Sequence, residues 1–231
     1  MTGFKEKNDL RYEMKYEISK VEAACLIQRL KCCMKLDSHA SEKGMYRIRS
    51  LYYDTLDDDF LKANLDGTEP RNKWRIRTYD LSPDVSYLEC KSKIRGMIRK
   101  DSCMIKREDF DTFDKKYRTD GAPESSLINR FIMLKDQKCL SPKVIVQYDR
   151  IPYVYPVGNV RITIDHNIMS STDTDGLFDP SIKVRPVLET GRCLLEVKWT
   201  GILPDHIAHM LGGFDMRWST FSKYCICRRY S

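Results

Sequence analysis

The chain has 231 residues, 32% of them charged and 42% hydrophobic, with 40 Lys plus Arg against 33 Asp plus Glu. That length suffices for one large domain with its own core, and the net charge of +7 favours polyanionic partners: polyphosphate, nucleotide, nucleic acid or acidic membrane. No apolar run approaches a membrane span, the N-terminal segment is charged from Lys5 onward, and the nine cysteines form no CxxC pair, so the expectation is a cytosolic chain with reduced thiols, neither transmembrane nor zinc-stapled.

Residues 10–18 alternate as a strand, and Ser19 offers an N-cap to a helix over about 20–34. Tyr46–Asp54 reads as a strand, and Asp57-Asp58-Asp59 opens a short helical segment carrying Phe60, Leu61 and Leu65. That acidic run is read as helix capping and not as a metal site. Strands are expected at about 72–80, 85–93 and 97–107, separated by the turn signals Ser82-Pro83-Asp84 and Arg95-Gly96. Helical patterns follow at about 108–117 and 124–136. Strands resume at about 143–153, 159–166, 182–188 and 192–200, with Gly158-Asn159 and Thr190-Gly191 as turns, and 169–180 reads as a loop. Two helices near 204–212 and 219–229 finish the chain. With no repeats and no linker, the prediction is a single domain over 1–231 of the α+β class. Its architecture is expected to be a closed eight-stranded antiparallel β-barrel, a tunnel, with helices packed outside and at the C-terminus.

The most informative pattern lies within these strands. Lys73-x-Arg75-x-Arg77, Glu89-x-Lys91-x-Lys93, Arg161-x-Thr163-x-Asp165 and Glu196-x-Lys198 put charges on one strand face, with Trp74, Ile76, Leu88, Ile162, Ile164 and Val197 between them. Any one pair taken alone reads better as a solvated sheet face with cross-strand ion pairs. Several such strands together predict a lined interior for a charged ligand, and the excess of Lys and Arg makes that ligand an anion.

Taken in order, Arg11-Tyr-Glu13-Met-Lys15-Tyr, Arg75-Ile-Arg77, Leu88-Glu89-Cys90-Lys91-Ser92-Lys93, Arg161-x-x-x-Asp165, Leu195-Glu196-Val197-Lys198 and Phe221-Ser222-Lys223-Tyr224 resemble the triphosphate tunnel metalloenzymes (the CYTH-like superfamily) and, more closely, the VTC branch of polyphosphate polymerase domains. The resemblance runs from Arg11 to Lys223. It implies a basic tunnel in which the γ-phosphate of ATP moves onto a growing polyphosphate chain with the help of a divalent metal, Mn²⁺ or Mg²⁺. It implies phosphate-gripping roles for Lys15, Arg75, Arg77, Lys91, Lys100, Arg150 and Arg161, contacts from Ser222 and Lys223 on the last helix, and a metal on Glu196. The family pattern has a basic residue immediately before Phe221-Ser222-Lys223, where this chain has Thr220; Arg217 or Lys198 is the expected substitute.

The residue chemistry agrees with this without the name. Guanidinium forks suit bidentate phosphate contact, ammonium groups act as point charges, and hard cations take carboxylate oxygen. Glu13, Glu89 and Asp165 are further candidates, either as metal ligands or as partners that hold the basic side chains. Lys93, Lys106 and Arg49 share such strand positions but are equally compatible with solvent. Two other functions keep the same fold: hydrolysis of tripolyphosphate or nucleoside triphosphate, and a non-catalytic polyphosphate or nucleotide sensor. Nucleic acid is disfavoured because Tyr12, Trp74, Tyr148 and Trp199 form no stacking platform on the cationic face. Membrane association is expected only through docking on a membrane protein partner.

Overall fold

A computed structural model describes residues 11–106, 127–214, 216, 219 and 222–229. Its strands are β1 (Tyr12–Ser19), β2 (Lys35–Leu36), β3 (Tyr46–Asp54), β4 (Arg71–Tyr79), β5 (Ser86–Ile94), β6 (Met97–Ile105), β7 (Ser141–Tyr155), β8 (Val160–Ser171), β9 (Arg185–Pro186) and β10 (Arg192–Trp199). The helices are α1 (Lys20–Lys31), α2 (Asp59–Leu65), α3 (Leu127–Lys138), α4 (Asp205–Leu211) and α5 (Lys223–Arg228). Ser19 caps α1 through a reciprocal box with Glu22: the Glu22 amide donates to Ser19 Oγ at 3.1 Å and the Ser19 amide to Glu22 Oε2 at 2.7 Å. Arg95 and Gly96, both at positive φ (51° and 77°), make the two-residue β5–β6 hairpin turn that matches strand twist.

All pairing is antiparallel, in the order β1-β10-β8-β7-β3-β4-β5-β6, with β2 and β9 attached to β7 and β8. β1 and β5 are six steps apart along that order. In a flat sheet six steps span roughly 29 Å. Yet Lys91 of β5 donates to Glu13 of β1 at 2.9 Å, so the sheet curls until its two ends face one another. It does not close. Among the described residues β1 and β6 terminate the order and do not pair, and the expected closed barrel is therefore corrected to an open half-barrel.

Other boundaries also differ from expectation. β8 continues to Ser171, through the start of the expected loop, because Met169 and Ser170 bridge β7 and β9. The strand expected at 182–188 shrinks to Arg185–Pro186, where proline lacks a donor to extend the ladder. The helix expected at 108–117, and Thr220 and Arg217, lie outside the described residues.

Alternation sorts the side chains into three cores. On the convex side α1 and α4 bury Leu26, Leu30 and Ile207 against Ile18, Ile162, Ile164, Leu195 and Val197. Farther round, α3 places Phe131 against Trp74, Ile76, Leu88 and Ile145, with Leu177 and Ile182 from the segment after β8. Each such side chain contributes about 1.5–3 kcal/mol on burial, so this outer layer is what holds the curl. The third core is concave: α5 lays Tyr224, Cys225 and Cys227 on Tyr52, Val144, Val146, Ile168 and Leu194. No helix among the described residues is long and apolar enough to cross a membrane.

Asp54, fully buried, ties α5 and α2 to the sheet. Its Oδ1 accepts from the Thr55 and Phe60 amides (2.8 and 2.9 Å), and its Oδ2 from the Leu61 amide (2.9 Å) and the Tyr224 hydroxyl. Removing this acceptor strands several buried donors at once. Asp54→Ala is expected to cost about 3 kcal/mol of stability, whereas Asp66→Ala on the exposed end of α2 stays within about 0.5 kcal/mol, both read by chemical denaturation.

Candidate functional site

The strand register collects the charged positions on the concave face. Glu13 lies opposite Lys198 and Lys15 opposite Glu196; Leu194 lies opposite Asp165, and Asp165 opposite Arg150. On the other wing Arg75 lies opposite Glu89, Lys73 opposite Lys91, and Lys91 opposite Lys100. The alternate residues Ile76, Leu88, Ile162 and Val197 enter the convex cores, so one periodicity builds both the packing face and the site.

Three charge clusters result. In the first, Arg150 grips Asp165 with two parallel bonds of 2.7 and 2.8 Å, and Lys223 from α5 reaches both Asp165 Oδ2 (2.6 Å) and Glu196 Oε1 (2.7 Å). Lys198 takes Glu196 Oε2 at 2.8 Å. Burial alone would raise the carboxyl of Glu196, but Lys198, Lys223, Lys15 and Arg150 hold it well below its ordinary range. The Tyr148 ring packs beneath Lys223 and Arg150, 4.8 and 5.2 Å from its centroid. Burial opposes ionisation of its phenol, yet Arg150, Arg77 and Lys223 bring it below the usual tyrosine value.

In the second cluster Glu89 accepts from Arg75 Nε (2.7 Å) and Lys100 Nζ (3.0 Å), and Arg75 also donates to the Tyr52 hydroxyl at 2.9 Å. Arg77 has looser partners: Ser50 Oγ and the Tyr148 hydroxyl at 3.4 Å each, and Glu89 at 3.7 Å.

The third cluster places one carboxylate among several ammonium groups. Glu13 meets Lys91 at 2.9 and 3.1 Å, Lys15 at 3.1 Å and Lys198 at 4.0 Å. Burial, with repulsion from Lys15 and Lys198 only partly offset by Glu13, pushes Lys91 down to about 7. Burial and Lys15 push Lys73 down to about 8, and among the described residues no ion pair joins Lys73 to a carboxylate.

Of the residues expected from the sequence, Lys15, Arg75, Arg77, Lys91, Lys100, Arg150, Lys198, Lys223, Glu196, Glu13 and Glu89 converge on this face. Arg161 stands apart, donating to Asp37 Oδ2 (2.5 Å) and the Tyr46 hydroxyl (3.0 Å). The Ser222 hydroxyl accepts the Cys225 amide at 3.4 Å and so caps α5. Arg49 is buried on the opposite face, bonded to Gln147 and to the carbonyls of Gly176, Leu177 and Asp179. Tyr52 and Tyr148 were not expected as site residues, and Lys73 was read only as part of the charged strand face. Lys73 shares the alternation of Arg75 and Arg77, and Tyr148 precedes Arg150 by one strand period, so both carried a readable signal.

A family model for the VTC domain matches residues 10–231. The chain belongs to the VTC domain family. No curated protein matches the sequence. Solved structures similar to this VTC domain include the PH1819 protein of Pyrococcus horikoshii OT3, with 13% identity, a TM-score of 0.50, and coverage of 96% of this chain and 99% of that one. The PH1012 protein of the same organism is similar at 11% identity and TM-score 0.45, covering 92% and 96% of the two chains. The first likeness shows a shared fold.

The resemblance implies a divalent ion, and the donor set of the VTC domain can be tested against one. Among the described residues no three His, Cys, Asp or Glu side chains group as ligands for a metal. Glu13, Glu89, Asp165 and Glu196 direct their oxygens to cations instead. In this arrangement the carboxylates do not fit a protein-built metal site.

Lys91 and Lys73 also set a pH dependence. Their folded values lie below the ordinary 10.5, so between about 7 and 10.5 the unfolded chain binds more protons than the folded one. Stability of the ligand-free VTC domain should therefore rise with pH across that window. Thermal denaturation should show Lys91→Met stabilised relative to the parent near pH 6, with the difference shrinking by pH 9.

Proposed function

We propose that this VTC domain binds ATP and polyphosphate on its concave face and transfers the γ-phosphoryl group to the end of a growing polyphosphate chain. The observation that carries the reading is a charge imbalance. Among the described residues, nine cations (Lys15, Lys73, Arg75, Arg77, Lys91, Lys100, Arg150, Lys198, Lys223) gather around four carboxylates (Glu13, Glu89, Asp165, Glu196) on this face. A surplus of basic over acidic groups in a partly desolvated concavity, which pushes Lys91 and Lys73 below their ordinary value, calls for a polyanion as its counter-ion. Membership of the VTC family supports the same class of ligand.

In the transfer, a terminal oxygen of the polyphosphate attacks the γ-phosphorus, the bond to the β–γ bridging oxygen breaks, and ADP leaves. Negative charge builds on the bridging and nonbridging oxygens, so the protein's work is alignment and charge stabilisation. Lys15, Arg75, Arg77, Lys91 and Lys100 supply cations at the reacting phosphates. Arg150, Lys198 and Lys223 hold the rest of the chain, and Arg161 and Ser222 would join them only by giving up Asp37 and the α5 cap. Arg77 is the most available guanidinium, since Arg75 and Lys100 already engage the carboxylate it approaches.

The open seam favours a second reading, hydrolysis, because a half-barrel lets water compete with phosphate as acceptor. Incubating the protein with ATP and Mn²⁺ or Mg²⁺, then resolving ADP, free phosphate and polymer, separates the readings. Polymer is expected, free phosphate alone would mean hydrolysis, and no turnover with retained binding would mean a sensor. Arg77→Ala should weaken ATP binding or turnover about ten- to a hundredfold, the cost of a hydrogen bond to a charged group, and Arg77→Lys should restore part of it. An Ala variant as active as the parent would remove Arg77 from the site.

A further inference from the structure

We propose that Glu13, Glu89, Asp165 and Glu196 are counter-ions of the phosphate-gripping cations and hold no divalent cation in the ligand-free VTC domain: at this face a divalent ion is taken up only together with the triphosphate. This rests on the reading of the concave face as a triphosphate site.

Every oxygen of the four carboxylates is already engaged. Glu196 gives Oε1 to Lys223 (2.7 Å) and Oε2 to Lys198 (2.8 Å); Asp165 gives Oδ1 to Arg150 (2.7 Å) and Oδ2 to Lys223 (2.6 Å). Glu89 gives Oε1 to Lys100 (3.0 Å) and Oε2 to Arg75 (2.6 Å), while Glu13 gives Oε1 to Lys15 (3.1 Å) and Oε2 to Lys91 (2.9 Å). A hard divalent ion needs oxygens at about 2.0–2.6 Å, and on the second lone pair of any of these oxygens it would sit against the ammonium or guanidinium already bonded there. In the ligand-free protein that would add two positive charges to a face where basic groups already outnumber acidic ones. Incoming phosphates change the balance. They give the same cations another partner, release carboxylate lone pairs, and carry oxygens that coordinate the metal themselves. Ion and triphosphate are thus coupled, each raising the affinity for the other by the same factor. Until then the carboxylates act as positioning groups, spacing like charges so that the donors are in place before the substrate enters.

Two measurements test this. Mn²⁺ added to the ligand-free protein is followed by the free-ion electron paramagnetic resonance signal, then tripolyphosphate is added. No uptake below about 1 mM is expected without phosphate, and uptake beyond that of tripolyphosphate alone once protein and phosphate are together. Sub-millimolar uptake by the ligand-free protein that Glu196→Gln abolishes would overturn the proposal while leaving the triphosphate site standing. Failure of tripolyphosphate to bind would instead overturn the functional reading. Separately, Glu196→Gln removes one anion from the face, so in EDTA its affinity for metal-free tripolyphosphate should tighten by about tenfold. A folded variant with unchanged or weaker affinity would count against the counter-ion role.

Discussion

Nine cations held around four carboxylates inside one curved sheet form the constraint on which the other features depend. Bringing charges out of water costs several kcal/mol each unless they are paired and hydrogen bonded. Arg150, Asp165, Glu196 and Lys223 are all at least nine-tenths buried, and they meet that condition by sharing. Lys223 bridges two carboxylates, Arg150 is bidentate, and Tyr148 offers its ring face to both cations. The lysines show the remaining strain: Lys73, joined to no carboxylate among the described residues, is pushed down to about 8, and Lys91, which shares Glu13 with Lys15, to about 7. Such a face is intrinsically unstable against its own repulsion. The convex layers, with Leu30, Ile162, Leu195, Leu88 and Ile145 at zero exposure, supply the burial that holds it in place.

The C-terminal helix α5 joins the apolar and ionic halves of the concave face. Tyr224, Cys225 and Cys227 seal the apolar part, while Lys223, one residue earlier, enters the carboxylate pair. The helix is only six residues long, too short to hold its own shape. It is fixed from outside: Ser222 caps its first turn, Tyr224 binds Asp54, and Arg228 pairs with Asp58 at 2.7 Å. Asp54 also organises the start of α2, so the docking of α5 and the geometry at Lys223 share one buried acceptor. Stability at Asp54 and charge placement at Asp165 and Glu196 are therefore coupled through three consecutive residues.

Much of the site was legible because it is written in strand alternation. Arg75-x-Arg77, Glu89-x-Lys91 and Glu196-x-Lys198 fall on one face as spacing requires, and their apolar neighbours Ile76, Leu88 and Val197 pack against helices on the other. What alternation does not specify is closure. Closure depends on hydrogen bonds between the first and last strands of the order, and neither Tyr12–Ser19 nor Met97–Ile105 carries a local mark of its partner. Arg49 shows the same limit. It shares the cationic composition of the site strands, but its parity carries it to the outer face, where buried carbonyls of the Gly176–Asp179 segment satisfy it. Arg161 was legible as inward-facing, whereas its partner Asp37, 124 positions away, was not. Ser222 was read as a ligand contact because of its motif, while its place before a helix is also the ordinary signature of an N-cap.

The unclosed seam is bridged by the same charges. The fifth strand brings Lys91 toward a first strand that carries Glu13 and Lys15, in a sheet that already sets Lys73 opposite Lys91 and Lys91 opposite Lys100. Glu13 links the two wings through a side-chain ion pair instead of a backbone ladder. An ion pair can exchange one partner for another, whereas a ladder must be broken bond by bond. A polyanion reaching Lys91 competes with Glu13 for it, and every phosphate oxygen that succeeds weakens the link between the wings. The edge of β1 is not left bare, since Ser219 donates to the Lys15 carbonyl at 2.9 Å, which satisfies one edge acceptor and limits strand-to-strand association. The half-barrel is thus held together by packing on its outside and by exchangeable charge on its inside, an arrangement suited to a ligand that is itself a chain of charges.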